Sequence, residues 1–253
     1  MTAALALSIA PEVQSEALRE RVQVLESRSG VREVLLVTEA CAPDAREQHV
    51  VIVLGGAGGG FAVVSHDGLP HVYGGLPLEQ RQRLANAING AVIALSPPSD
   101  QPVMGRDWRL SNQHVSDLQA AVHWARAQWP DAKTWVLGMN NGALSAAVAT
   151  ASIDDLAGAV LLSCVDEALD QPQKSERMRV LAVRHRAVAA SAHAGVANCA
   201  RRTLVRVHDE RRAAVHALGR DPVQAPHFNG KERQVVDVVA RWIVTGDAPD
   251  EIR

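Results

Sequence analysis

The residues of this chain best suited to chemistry stand where strands give way to glycine-rich turns. "VLGMNNGALSAA" (136–147) reads as a strand, a sharp glycine-flanked turn and a helix, with Asn140 at the apex. A strained turn of this kind holds its apex side chain above a sheet, where a serine hydroxyl serves as nucleophile. Asn140 offers instead an amide whose nitrogen lone pair is delocalised, a hydrogen-bonding group but a poor nucleophile. Upstream, "LGGAGGG" ends a β-branched run with Gly55, Gly56, Gly58, Gly59 and Gly60. Their backbone N–H groups, with the amide of Asn141, could form a pocket for a carbonyl or carboxylate oxygen. A plain tight turn between strand and loop explains the same glycines equally well. Downstream, His227 in "PHFNG" is the late imidazole available for acid–base work.

The elements that must position these groups alternate. "VREVLLVTEA" (31–40) and "HVVIVLGG" (49–56) read as strands after an amphipathic stretch near 12–27. A helical stretch over 76–88 leads to "AVIALSPPSD", a strand stopped by Pro97 and Pro98. Ser111 caps a helix whose apolar residues Val115, Leu118, Val122, Ala125 and Trp129 keep helical spacing until Pro130. Strand 134–138, the turn and a helix to about 151 follow. Strands 158–163, 179–184 and 203–207 come next, with a helix around 194–202. A last amphipathic helix carries Val235, Val236, Val239, Trp242 and Ile243. Alternation of this kind predicts an α/β fold with a mostly parallel central sheet and helices on both faces. Ligands of such sheets bind beyond the carboxyl ends of the strands. No repeat or low-complexity linker divides the chain, so one domain over 1–253 is expected.

Composition excludes several classes. A formal net charge of -2 provides no general attraction to nucleic acid or to an anionic membrane, and 3% aromatic content leaves little base-stacking surface. The arginines of "CARRTLVRVHDERRAA" read as a solvated helix and strand edge. Cys41, Cys164 and Cys199 lack C-x-x-C spacing, which suggests neither zinc nor a disulfide framework, and a reducing cytoplasm is the simplest location. His185 has no helix-spaced histidine partner, so no metal is assigned. No cofactor is expected either. The short apolar run in "MTAALALSIAPEV" lacks a basic flank and falls short of the ~20 residues a membrane span requires.

The glycine-flanked turn, the preceding glycine loop and a late histidine together resemble the α/β-hydrolase superfamily. A narrower likeness over about 50–243 rests on "SPPSD", "WRLSNQHVSDLQAAVHWAR" and "WVLGMNNGALSAA". It is to a bacterial group with a Pro-Ser-Asp turn, an Arg-x-Ser-x-x-His helix start and a G-x-S-x-G elbow. Here these are Ser99 and Asp100, then Arg109, Ser111 and His114. The likeness implies an aspartate where Val188 stands, and a cysteine pair where Ala190 and Val223 stand. His227 falls in a loop one residue shorter than the group's. The triad is therefore degenerate, with serine replaced by Asn140 and acid by Val188.

Some hydrolases of this fold supply the acid after the strand that follows the elbow strand, and Asp166 in "SCVDEALD" is such a candidate; beside Glu167 and Asp170 it also reads as a solvated loop carboxylate. Cys164 reads as a small buried residue more readily than as a displaced nucleophile. Arg109, His114 and Asp100 read as support for the loop and helix start rather than as ligand contacts. The tryptophans read mostly as core, with Trp108 able to line the pocket.

Two functions follow. One is a pseudo-hydrolase that binds a small acyl or carboxylate ligand, or a protein partner, without covalent catalysis. The other is a hydrolase or lyase-type enzyme of altered, noncovalent mechanism, with His227 as base and the glycine loop as oxyanion hole. A homo-oligomer, or a subunit pairing with an active relative, is a further arrangement that the fold accommodates.

Overall fold

The computed structural model describes residues 19–44, 46–56, 59–66, 69–73, 76–164, 168, 170–185, 202–208, 228 and 230–253. Nine strands form one sheet in the order β1-β2-β6-β3-β7-β8-β9-β10-β11. In chain order these are β1 (Arg19–Arg28), β2 (Val31–Glu39), β3 (His49–Leu54), β6 (Ala91–Leu95), β7 (Lys133–Met139), β8 (Gly158–Leu162), β9 (Arg179–His185), β10 (Arg202–Val207) and β11 (Glu251–Ile252). β2 runs antiparallel to β1 and to β6, while every pairing from β6 to β11 is parallel. The expected mostly parallel sheet is therefore present, with a β1–β2 hairpin at one edge.

Alternation along β3 shows why its apolar run is continuous. Val50, Ile52 and Leu54 face a core cluster that includes Leu118, Val122, Ala146 and Ala147. These come from α4 (Asn112–Gln128) and α5 (Asn141–Ser152). Val51 and Val53 face the other cluster, with Leu84, Val235, Val239 and Trp242 from α2 (Arg81–Ala87) and α6 (Glu232–Thr245). A strand buried on both faces has no polar side to show.

The helical stretch 76–88 steps at Gln80 into α1 (Leu76–Glu79) and α2. At the step, Arg81 Nη1 donates to the Leu78 carbonyl, and the same guanidinium pairs with Glu20. Residues 19–28 of the amphipathic N-terminal stretch form a strand whose exposure includes Val22 and Val24. A two-stranded hairpin, β4 (Ala62–His66) and β5 (Leu69–Tyr73), occupies a segment in which sequence patterning marks no element. The helix expected around 194–202 lies outside the described residues except at Arg202, which opens β10.

A charged cluster fastens the β1–β2 hairpin to α4. Arg28 Nε and Nη2 donate to the Asp117 carboxylate at 2.8 and 3.2 Å, and its Nη1 and Nη2 reach Asp100 at 3.0 and 2.9 Å. Ser27 Oγ donates to Asp117 at 2.6 Å. Glu33, on β2, is 2% exposed, and burial with the neighbouring Asp117 pushes its carboxyl up to about 8, Arg28 opposing and Asp100 adding. A carboxyl raised in the folded state contributes stability fully below its ordinary value of 4.5 and loses it as pH rises through about 8. Glu33→Gln should therefore match wild type in denaturant titrations near pH 5 and exceed it by ~3 kcal/mol near pH 9. Equal stability at alkaline pH would refute the assignment.

Candidate functional site

The sheet order reverses around β3. The chain leaves β3 for β6 on one side and returns to β7 on the other, so the loops after β3 and β7 meet at a topological switch point. The first of these is the glycine loop and the second is the turn at Asn140.

Asn140 sits at the apex with φ 52° and ψ -119°, a sparsely populated conformation for a residue with a side chain. The surroundings impose it. A Cβ on Gly138 would lie 2.0 Å from the Gly142 carbonyl oxygen, and one on Gly142 would lie 2.2 Å from the Leu54 oxygen. Only glycine lets strand, turn and helix close so tightly. Asn140 N donates to Leu162 O at 2.9 Å, and Ala143 N to Asn140 O at 3.0 Å, which anchors the apex at both ends.

The glycine loop folds against this turn. Gly59, with φ 90°, donates its N–H to Gly56 O at 2.6 Å, and a Cβ on Gly55 would meet the Gly59 oxygen at 2.2 Å. A Cβ on Gly56 would stand 2.9 Å from Met139 O and 3.8 Å from Asn140 Cβ. Gly55 and Gly56 thus lie beside the apex, as the exposed Asn141 does at the start of α5. Gly58 lies outside the described residues.

Arg109, at the end of α3 (Arg106–Arg109), underpins the loop. It is 0% exposed and donates through Nη2 to Gly55 O at 3.0 Å, through Nη1 to Ser145 Oγ at 2.7 Å and through Nε to Met104 O at 3.3 Å. Burial lowers its guanidinium to about 10, so it stays charged at neutral pH. Ser145 Oγ also lies 2.9 Å from His114 Nε2. Both residues of this Ser–His contact are buried. Burial, with Arg109 adding to it, pushes His114 down to about 4, which leaves a neutral imidazole. This is a strut between α4 and α5 that fixes Arg109, not a nucleophile and base open to substrate.

The "SPPSD" turn is likewise structural. Ser96 Oγ accepts from Val34 N at 2.8 Å, Ser99 Oγ from Arg32 N at 3.0 Å, and Asp100 joins the Arg28 cluster. Ser111 caps α4 by accepting from His114 N at 3.2 Å. Trp108 lies under the Arg28 guanidinium at 5.4 Å, so its ring is engaged with the β1–β2 hairpin. Cys164 packs in the core, 3% exposed.

Asp166, Val188, Ala190, Val223 and His227 lie outside the described residues. Phe228, next to His227, is fully buried and stacks on His185 at the end of β9, with ring centroids 4.8 Å apart. Two residues at or near the site carry no sequence signal. Ser145 is one serine on an alanine-rich helix. Ser163 reads as the last residue of strand 158–163, whereas β8 ends at Leu162 and Ser163 turns away with φ 46°.

No family model matches the sequence, and no curated protein matches it. Solved structures do resemble it. A fungal esterase from Rhizomucor miehei aligns with TM-score 0.57 at 13% identity, over 91% of this chain and 84% of its own. Brefeldin A esterase, a bacterial homologue of human hormone sensitive lipase, aligns with TM-score 0.57 at 12% identity, over 94% and 80%. A cold-adapted esterase from an Arctic intertidal metagenomic library aligns with TM-score 0.50 at 12% identity, over 78% and 87%. With the sheet order and the turn at Asn140, these likenesses show that the chain has the α/β-hydrolase fold. Among the described residues, no helix is long and apolar enough to cross a membrane.

Proposed function

We propose that this protein is a pseudo-hydrolase of the α/β-hydrolase fold that binds a small acyl or carboxylate ligand noncovalently at the carboxyl ends of β3, β7 and β8. The observation that carries the reading is Asn140 at the strained apex, where covalent acyl transfer needs a hydroxyl or a thiol. An amide there can hold a carbonyl compound but cannot form an ester with it. The degenerate triad, with Val188 at the acid position, supports the same reading and rests on the sequence likeness to the bacterial group. The glycine loop beside the apex supports a binding role, since backbone donors stabilise an oxygen without any nucleophile. A cytoplasmic location accords with the cysteine pattern.

The esterase activity in the names of the structural relatives selects the test. Hydrolysis of short p-nitrophenyl esters is measured for wild type, His227→Ala and the double variant Asn140→Ser/Val188→Asp. Wild type and His227→Ala should show the same low rate, because an oxyanion site and binding alone retain roughly 10³ to 10⁴-fold over water. The double variant should rise above both by at least about tenfold. Wild-type turnover that disappears in His227→Ala would overturn the proposal in favour of a histidine-based mechanism.

A further inference from the structure

We infer that Asn140 and Ser163 together read the polar head of the bound ligand, and that this head is a neutral carboxamide or lactam rather than a carboxylate. The inference rests on the noncovalent-binding reading above. The two residues directly follow adjacent strands: Asn140 N donates to Leu162 O, so Ser163 is the residue that follows the acceptor. Both have positive φ, 52° and 46°. Each carries a buried polar atom, Asn140 Oδ1 and Ser163 Oγ, that has no hydrogen-bond partner among the described residues. A buried unpaired polar atom costs free energy that folded proteins seldom leave unrecovered. Two of them on neighbouring strand ends, where ligands of such sheets bind, point to a bound group as the missing partner. Oδ1 and Oγ are themselves buried, while the rest of Asn140 and of Ser163 is half-buried and Asn141 is exposed.

The ligand chemistry follows from the inventory of donors. Oδ1 can only accept, so the ligand must bring it an N–H or O–H, while the Ser163 hydroxyl has a proton to give. A carboxamide or lactam carries both complements side by side, its N–H for Asn140 and its carbonyl oxygen for Ser163. The selection belongs to this orientation of the Asn140 amide: turned over, its Nδ2 and the Ser163 hydroxyl would both donate, and a carboxylate would bind as well as an amide. A carboxylate has no donor and would set its charge against Oδ1. Arg109, the cation that reaches the glycine loop, is buried and directs its donors to Gly55 O, Ser145 and Met104 O.

Saturation-transfer NMR on the full chain with butyramide, γ-butyrolactam and butyrate tests this. Butyramide and γ-butyrolactam should bind with Kd of ~10 mM, ordinary for ligands of this size, and butyrate at least about fivefold more weakly. Ser163→Ala and Ser163→Gly should each weaken butyramide by at least about fivefold. Ser163→Gly should do so while raising Tm, because glycine accepts φ 46° without strain. A merely structural serine would alter Tm and leave affinity alone. Butyrate binding as tightly as butyramide, or full butyramide affinity in the Ser163 variants, overturns the inference while the binding reading stands. Failure of all three compounds to bind overturns both.

Discussion

Gly138→Ala should lower the melting temperature by ~6–12 °C, the equivalent of ~3 kcal/mol in a chain of this size. The added methyl would sit 2.0 Å from the Gly142 oxygen, 2.2 Å from the Gly142 carbonyl carbon and 2.6 Å from Ala143 N. All three are backbone atoms at the start of α5, so no side chain can swing aside. Relief requires α5 to retreat from β7, yet α5 is buried along Gly142–Thr150 against the sheet. The strain therefore falls on the turn itself. Gly142→Ala meets Leu54 O at 2.2 Å and should behave alike, since it forces α5 away from β3. Thermal unfolding followed by circular dichroism checks both, and a loss below ~1 kcal/mol would mean that α5 moves off the sheet at little cost.

Arg109→Met should cost ~3 kcal/mol, read as a shift of the denaturant midpoint at unchanged slope. Methionine fills similar space and removes a buried charge, which offsets part of the loss. What remains is that Gly55 O and Met104 O lose their guanidinium donor and Ser145 Oγ keeps only His114. Arg109→Lys should recover little, because one ammonium cannot span three acceptors held by a planar fork. Amide exchange at Gly59, bonded to Gly56 O, should quicken as the loop loosens. Loss of the guanidinium should also raise His114 from about 4, though not to its ordinary value, because burial is the larger cause. An NMR titration of His114 that shows no change would refute the electrostatic link between the two.

Strand and helix placement is well marked in this sequence. The helix after Ser111 begins where its hydroxyl caps the chain and stops at Gln128, just before Pro130. β3, β6, β7, β8 and β9 follow apolar runs that need no partner to be recognised. The two-glycine spacing around Asn140 announces the turn because no other residue fits there. β1 and β4–β5 are poorly marked, since their pairing partners rather than their composition make them strands.

The partners of the charged motif residues were beyond the reach of spacing. Asp100, Arg28 and Asp117 are far apart in the chain, and their contact exists only because β1, the turn after β6 and the start of α4 converge. Ser145 gains its role when α5 packs beside α3 and α4, and Ser163 when β8 ends one residue early with positive φ.

By itself, then, the order of residues determined the α/β layout with a mostly parallel sheet, the glycine-framed apex and the absence of a hydroxyl there. These follow from local sterics and from the period of apolar side chains, which operate over a few neighbouring residues. Only the tertiary structure decided that Arg109 braces the glycine loop, that Ser145 and His114 are a buried strut, and that Ser163 stands beside Asn140. A hydrogen bond between elements depends on where separate strands and helices end in space, and that is set by packing of the whole sheet.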